Sequence, residues 1–173
     1  MRAFDTRAKP FKPIVEFKVD TNFATTCDIW SEGNEDKYIA TGHRGFNGAG
    51  AEVKLWDLRK VLAVTASDNV TSSALTNFVY DGHTFTPESV RFVKSLSDSP
   101  VDAKMNILAA SKDSTISAID RDGNQVSRVR NSDGFACMDI LADTPFITPG
   151  ASQRSRVVIT ADIKQHLQVY LFD

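Results

Sequence analysis

EVKLWDLRK, residues 52–60, decides how the rest of the chain is read. Its side chains alternate as those of a strand do: Val53, Leu55 and Asp57 point one way, Lys54, Trp56 and Leu58 the other. The strand closes on a large aromatic followed by an acid, Trp56-Asp57. The phrase returns in degraded form as Phe4-Asp5, Ile119-Asp120 and Phe172-Asp173, each ending a short apolar run. The copies stand roughly 50 to 60 residues apart, which is the scale of a repeated supersecondary unit.

The fullest unit runs from Asp81 to Asp120. It opens on Gly82-His83-Thr84 and continues through three strand-like runs at 89–94, 106–111 and 115–120, with the turn Lys112-Asp113-Ser114 between the last two. This order of features resembles the WD40-repeat family, whose four-stranded blades stack around an axis into a β-propeller. In that family a loop His, a strand Ser or Thr, a turn Asp and the Trp form a hydrogen-bonded tetrad. The resemblance gives three of those positions to His83, Ser111 and Asp113, with Ile119 in place of the Trp. Around Trp56 the chain departs from the pattern. His43 and Gly45 stand where Ser and Asp would, and no Gly-His pair precedes the strand at 24–30. The last unit has strands at 136–141, 157–160 and 167–172, with Phe172 in the Trp position and Asp173 after it.

The resemblance implies an all-β fold, a partial WD40-like propeller of three to four blades. A single repeat region covers 1–173, in units 1–22 (partial), 23–81, 82–132 and 133–173. The chain reads as a piece of a longer ring, and polar inserts at 67–74 and 143–155 absorb the excess spacing. Near-continuous apolar runs at 107–110 and 157–159 suit inner strands covered on both faces. No long stripe of period 3.6 argues for helix.

The 173 residues carry a net charge of −2, with both signs interspersed. No basic stripe follows a phosphate backbone, and Arg128, Arg130, Arg154 and Arg156 read as a solvated edge. No apolar run is long enough for a bilayer. Neither nucleic acid nor membrane is therefore expected as a partner. Cys27 and Cys137 fall near the middle of the first strands of their units and read as buried, reduced thiols, which points to cytoplasm or nucleus.

Catalysis needs a nucleophile with its base, a carboxylate pair or a metal cluster. His43, His83 and His166 lie in three different turn regions without ligand spacing, so no metal or cofactor is expected. GFNGAG, residues 45–50, lies between strands and reads as a hairpin tip rather than a phosphate cradle. Asp57, Asp113 and Asp120 have structural explanations at strand ends and turns. The expected function is non-enzymatic: a scaffold that binds other proteins or peptides through its loops. Two alternatives remain. Arg7 and Arg59 each follow an Asp by two residues. That spacing resembles WD40 substrate receptors, whose rim arginines dock on the adaptor of a cullin–RING ubiquitin ligase. The chain would otherwise be the accessory propeller of a larger enzyme or RNA-processing protein.

Overall fold

The computed structural model describes residues 2–4, 13–16, 22–32, 35–45, 50–63, 75–94, 105–147 and 154–172. The all-β class expected from the sequence is what these residues form. Strands β1 (Arg2–Phe4) and β2 (Pro13–Glu16) pair as a small ribbon. A first sheet holds β3 (Phe23–Glu32), β4 (Glu35–Arg44), β5 (Ala51–Asp57) and β6 (Thr76–His83). A second holds β7 (Pro87–Lys94), β8 (Met105–Ser111), β9 (Thr115–Asp120) and β10 (Gln125–Arg130). A third holds β11 (Phe135–Ile147), β12 (Arg154–Asp162) and β13 (Leu167–Phe172). Each is an open antiparallel meander in chain order. One short helix, α1 (Leu58–Ala63), interrupts the first sheet. Asp57 caps it by accepting the Arg59 N–H at 2.9 Å. No described helix is long and apolar enough to cross a membrane.

The three sheets repeat in register, not only in strand count. Each first strand breaks its ladder near its start, between Ala24 and Thr26, Pro87 and Ser89, and Phe135 and Cys137, and β3 and β11 break it again, between Trp30 and Ser31 and between Leu141 and Phe146. Counting from the bulges near the start, Trp56 lies opposite Ile39, Ile119 opposite Ile107 and Tyr170 opposite Val158. Hairpin turns of one kind recur within the second and third sheets, two in the second and one in the third. Ser111, Asp120 and Asp162 each begin a turn in which a side-chain oxygen takes the N–H two residues on, at 3.2, 2.9 and 2.9 Å. At the fourth residue of each turn, Ser114, Gly123 and Gln165, φ is 68°, 89° and 70°. A type I turn followed by one left-handed residue matches the twist of a hairpin.

The sheets pack through their first strands, β3 on β7 and β7 on β11. Polar side chains of one first strand bond the backbone of another. Thr26 Oγ1 accepts the Val90 N–H at 3.3 Å, Asp28 Oδ2 accepts the Phe92 N–H at 2.8 Å, and Ser89 donates to the Met138 carbonyl at 3.0 Å. One apolar layer between first and second sheets contains Ala40, Val53, Leu55, Val90, Ile107 and Ile119. Another, between second and third, contains Leu108, Ala118, Met138 and Val158.

The approach at β4 requires a residue without a side chain. A Cβ on Gly42 would stand 2.7 Å from Thr26 Cγ2 and 3.0 Å from both Pro87 Cβ and Val90 Cγ2. Gly42→Ala is expected to destabilise the chain by about 1–3 kcal/mol through overpacking, read as a lower urea midpoint.

One expectation is corrected: Cys27 and Cys137 are exposed rather than buried. Cys27 lies on the face of β3 turned away from the second sheet, and Cys137 on the face of β11 turned away from it. No described sheet covers either face.

Candidate functional site

The polar residues singled out in the sequence gather at two ends of the sheets. At one end lie the β8–β9 turn, the loop after β6 and the end of β4. His83 and Asp113 meet there, with Nδ1 3.1 Å from Oδ2. Oδ2 also accepts the Thr84 N–H at 2.9 Å, which ties the loop after β6 to the turn. Oδ1 accepts the Thr115 N–H at 3.0 Å and the Thr115 hydroxyl proton. Ser111 does not reach His83. Its hydroxyl donates to the Phe85 carbonyl at 2.7 Å and accepts the Asp113 N–H. The hydroxyl beside His83 belongs to Thr115, 3.2 Å from Nδ1. Arg128, read from the sequence as part of a solvated edge, instead donates to Thr115 Oγ1 at 3.1 Å and lies 3.6 Å from Asp113.

Burial pushes the His83 imidazole below its ordinary value, and the Asp113 carboxylate only partly offsets this. Its Nε2 is buried and has no hydrogen-bond partner among the described residues, so a proton there would go unmet. For Asp113, burial alone would raise the carboxyl. The bonds from Thr115, Thr84 and His83 outweigh it and hold the group below its usual range.

The first sheet has its own polar core. Trp56 Nε1–H donates to Thr41 Oγ1 at 2.7 Å, and that oxygen lies 2.6 Å from His43 Nε2. His43 and Thr41 share a strand two residues apart, so the hydroxyl that meets Trp56 is Thr41. In the third sheet, Tyr170 holds the register position of Trp56 and Ile119. Phe172 lies two residues further along β13. Arg7 and Asp173 lie outside the described residues.

Arg59 stands at the opposite end, at the start of α1. Its guanidinium closes on Asp57, Nε on Oδ1 at 3.1 Å and Nη2 on Oδ2 at 2.7 Å. The bond from Arg59 holds the Asp57 carboxyl below its ordinary value. Two of the five N–H donors of the planar fork are thus used within the chain, although the side chain is exposed.

Asp133, Asp162 and His166 bring ligand atoms within 4.8 Å of one another. The sequence did not reveal this grouping, because Asp133 precedes β11 and the other two flank the β12–β13 turn. The oxygens of Asp162 are surrounded by donors: the N–H groups of Lys164 and His166, the His166 ring and the Gln168 amide. Asp133 pairs with Lys164 Nζ at 2.8 Å. This is the chemistry of a capped turn.

Beside the His83–Asp113 network, a polar cleft of about 440 Å³ lies between the first and second sheets. Thr25, Arg44, Thr84, Phe85, Glu88 and Lys112 line it. Lys112 is paired with Glu88 at 2.9 Å, and Arg44 makes no ion pair among the described residues. The cleft therefore presents the Arg44 guanidinium, unpaired among the described residues, beside an exposed phenyl ring, on a rim that the Asp113 network holds in place. No protein-family model matches the chain, and no curated protein is significantly similar to it in sequence.

Proposed function

We propose that the chain is a non-enzymatic scaffold, a piece of a WD40-like propeller that binds protein or peptide segments at the loop end of its sheets. The observation that carries this reading is the threefold repetition of bulge and register in sheets packed first strand to first strand. A blade cannot cover its own faces, and stacked blades give a rigid support for loops. The cleft at that end adds a docking place suited to an acidic segment, with Arg44 as the charged contact and Phe85 as the apolar one.

A photo-crosslinking residue placed at Thr84, beside the cleft, is expected to capture a discrete protein or peptide partner, and one at Val126 on the outer strand is not. Adding Arg44→Glu should abolish capture from Thr84. Equal capture from both positions, or capture indifferent to Arg44, would count against the cleft.

A further inference from the structure

Among the described residues the repeat leaves exposed the outer face of the third sheet and, on the first sheet, the far side of β3; beyond β3 that side of the first sheet is already covered, with Trp56 buried under Val61 and Leu75. Toward the second sheet, the first presents Asp28 and Trp30 on β3, Ala40 on β4 and Leu55 on β5. In register, the second sheet presents Arg91, Val93, Leu108 and Ala118 to the third. The third sheet presents Asp139, Leu141, Ile159 and Val169 at the same positions. Leu108 and Ala118 are each 1% exposed, whereas Ile159 and Val169 are 45% and 65% exposed. Leu167 and Leu171 extend this apolar face along β13. A contiguous apolar patch of this kind marks an interaction surface.

Asp139 also repeats the pose of Asp28. Each accepts the N–H of the following residue, Ile140 or Ile29, on Oδ1 at 3.0 Å. Arg91 adds a bond to the same oxygen of Asp139. Asp28 uses its second oxygen to hold the Phe92 N–H of the next sheet at 2.8 Å. The second oxygen of Asp139 has no partner among the described residues, and the side chain is 81% exposed.

The complementary surface is the far side of β3. Val90 and Phe92 seat β7 on the first sheet, and Met138 and Ile140 seat β11 on the second. Their register counterparts on β3 are Cys27 and Ile29. Val90 and Met138 are 0% and 2% exposed where Cys27 is exposed, and Phe92 and Ile140 are partly buried where Ile29 is 54% exposed.

We infer that a second copy of this chain docks head to tail, its β3 seated on the outer face of the third sheet as β7 is seated on the first. Asp139 accepts a backbone N–H of the incoming β3, and Ile29 enters the layer of Ile159 and Val169. The contact joins two different surfaces, so it is heterologous and either closes a ring or continues as a string of copies. It rests on the register repeat and does not depend on what the cleft binds.

Sedimentation velocity of the full chain tests it. Ile29→Lys blocks the head and Val169→Lys the tail. Both side chains are exposed, so circular dichroism should report an unchanged fold. Wild type is expected to form species larger than a dimer, and each variant alone to be monomeric. An equimolar mixture of the two variants should give a one-to-one dimer and nothing larger, because one intact head and one intact tail remain. Asp139→Ala should weaken association roughly tenfold, the loss of one charge-assisted hydrogen bond. A wild-type chain that stays monomeric at every concentration overturns the inference. So does association insensitive to Ile29→Lys, which would signal a face-to-face pair.

Discussion

Trp56→Ala is expected to lower the unfolding free energy by about 3–5 kcal/mol, the usual cost of deleting a buried indole. Trp56 is fully buried against Val61 of α1 and Leu75, with Ile39 packed alongside. It therefore holds the helix and the start of β6 to the first sheet. Its N–H is also the donor that Thr41 accepts. Trp56→Phe separates the two contributions. It keeps most of the apolar volume, removes the donor, and should cost about 1 kcal/mol, the net worth of a typical hydrogen bond. Urea denaturation followed by circular dichroism measures both. An unchanged midpoint for the alanine variant would mean that the indole does not anchor this layer. Against a total stability of about 5–15 kcal/mol for an ordinary domain, the alanine variant falls close to unfolding.

Asp113→Ala should cost about 2–4 kcal/mol, because several donors lose their acceptor at once. The Thr84 and Thr115 N–H groups, His83 Nδ1 and Arg128 all converge on this carboxylate. The damage should be local as well as global. Hydrogen exchange at the Thr84 amide should accelerate before the sheets open, since that bond ties the cleft rim to the turn. The same network gives stability an acid dependence of definite sign. In the unfolded chain His83 protonates near the ordinary histidine value of 6.5, whereas burial keeps it neutral in the fold to lower pH. Stability is therefore full above about pH 6.5 and declines as pH falls below it. Asp113 adds a second decline as pH drops below about 3.9 through its lower folded value. His83→Gln should remove the upper limb of this profile and leave the lower. A profile unchanged by the substitution would place the titration elsewhere.

Many of the strands were legible because each is short, apolar and bounded by turn residues, whereas β4, β6 and β10, more polar, were not read. The run 115–120 is β9 itself, and 106–111 and 89–94 lie within β8 and β7. The meeting of His83 with Asp113 followed an order of residues that a resemblance could supply. What the sequence concealed was which hydroxyl faces which ring. Ser111 and Thr115 flank the same tight turn, and only its geometry sends one to the Phe85 carbonyl and the other to His83. Thr41 was hidden for a similar reason: it stands two residues before His43 on one face of β4, and the histidine drew attention first. Tyr170 and Phe172 are both aromatic and both on β13, and only the ladder separates them. The exposure of the cysteines depends on which sheets lie alongside, a property of neighbours that no local pattern encodes.

The meander wiring of the sheets has a consequence for how the chain is made. Every laddered partner within a sheet is the next strand in sequence. A sheet can thus complete its hydrogen bonds as soon as its last strand leaves the ribosome, without waiting for distant segments. Its apolar face stays wet until the following sheet emerges. Synthesis from the amino end therefore builds the stack in one direction, and each finished sheet serves as the template on which its successor condenses.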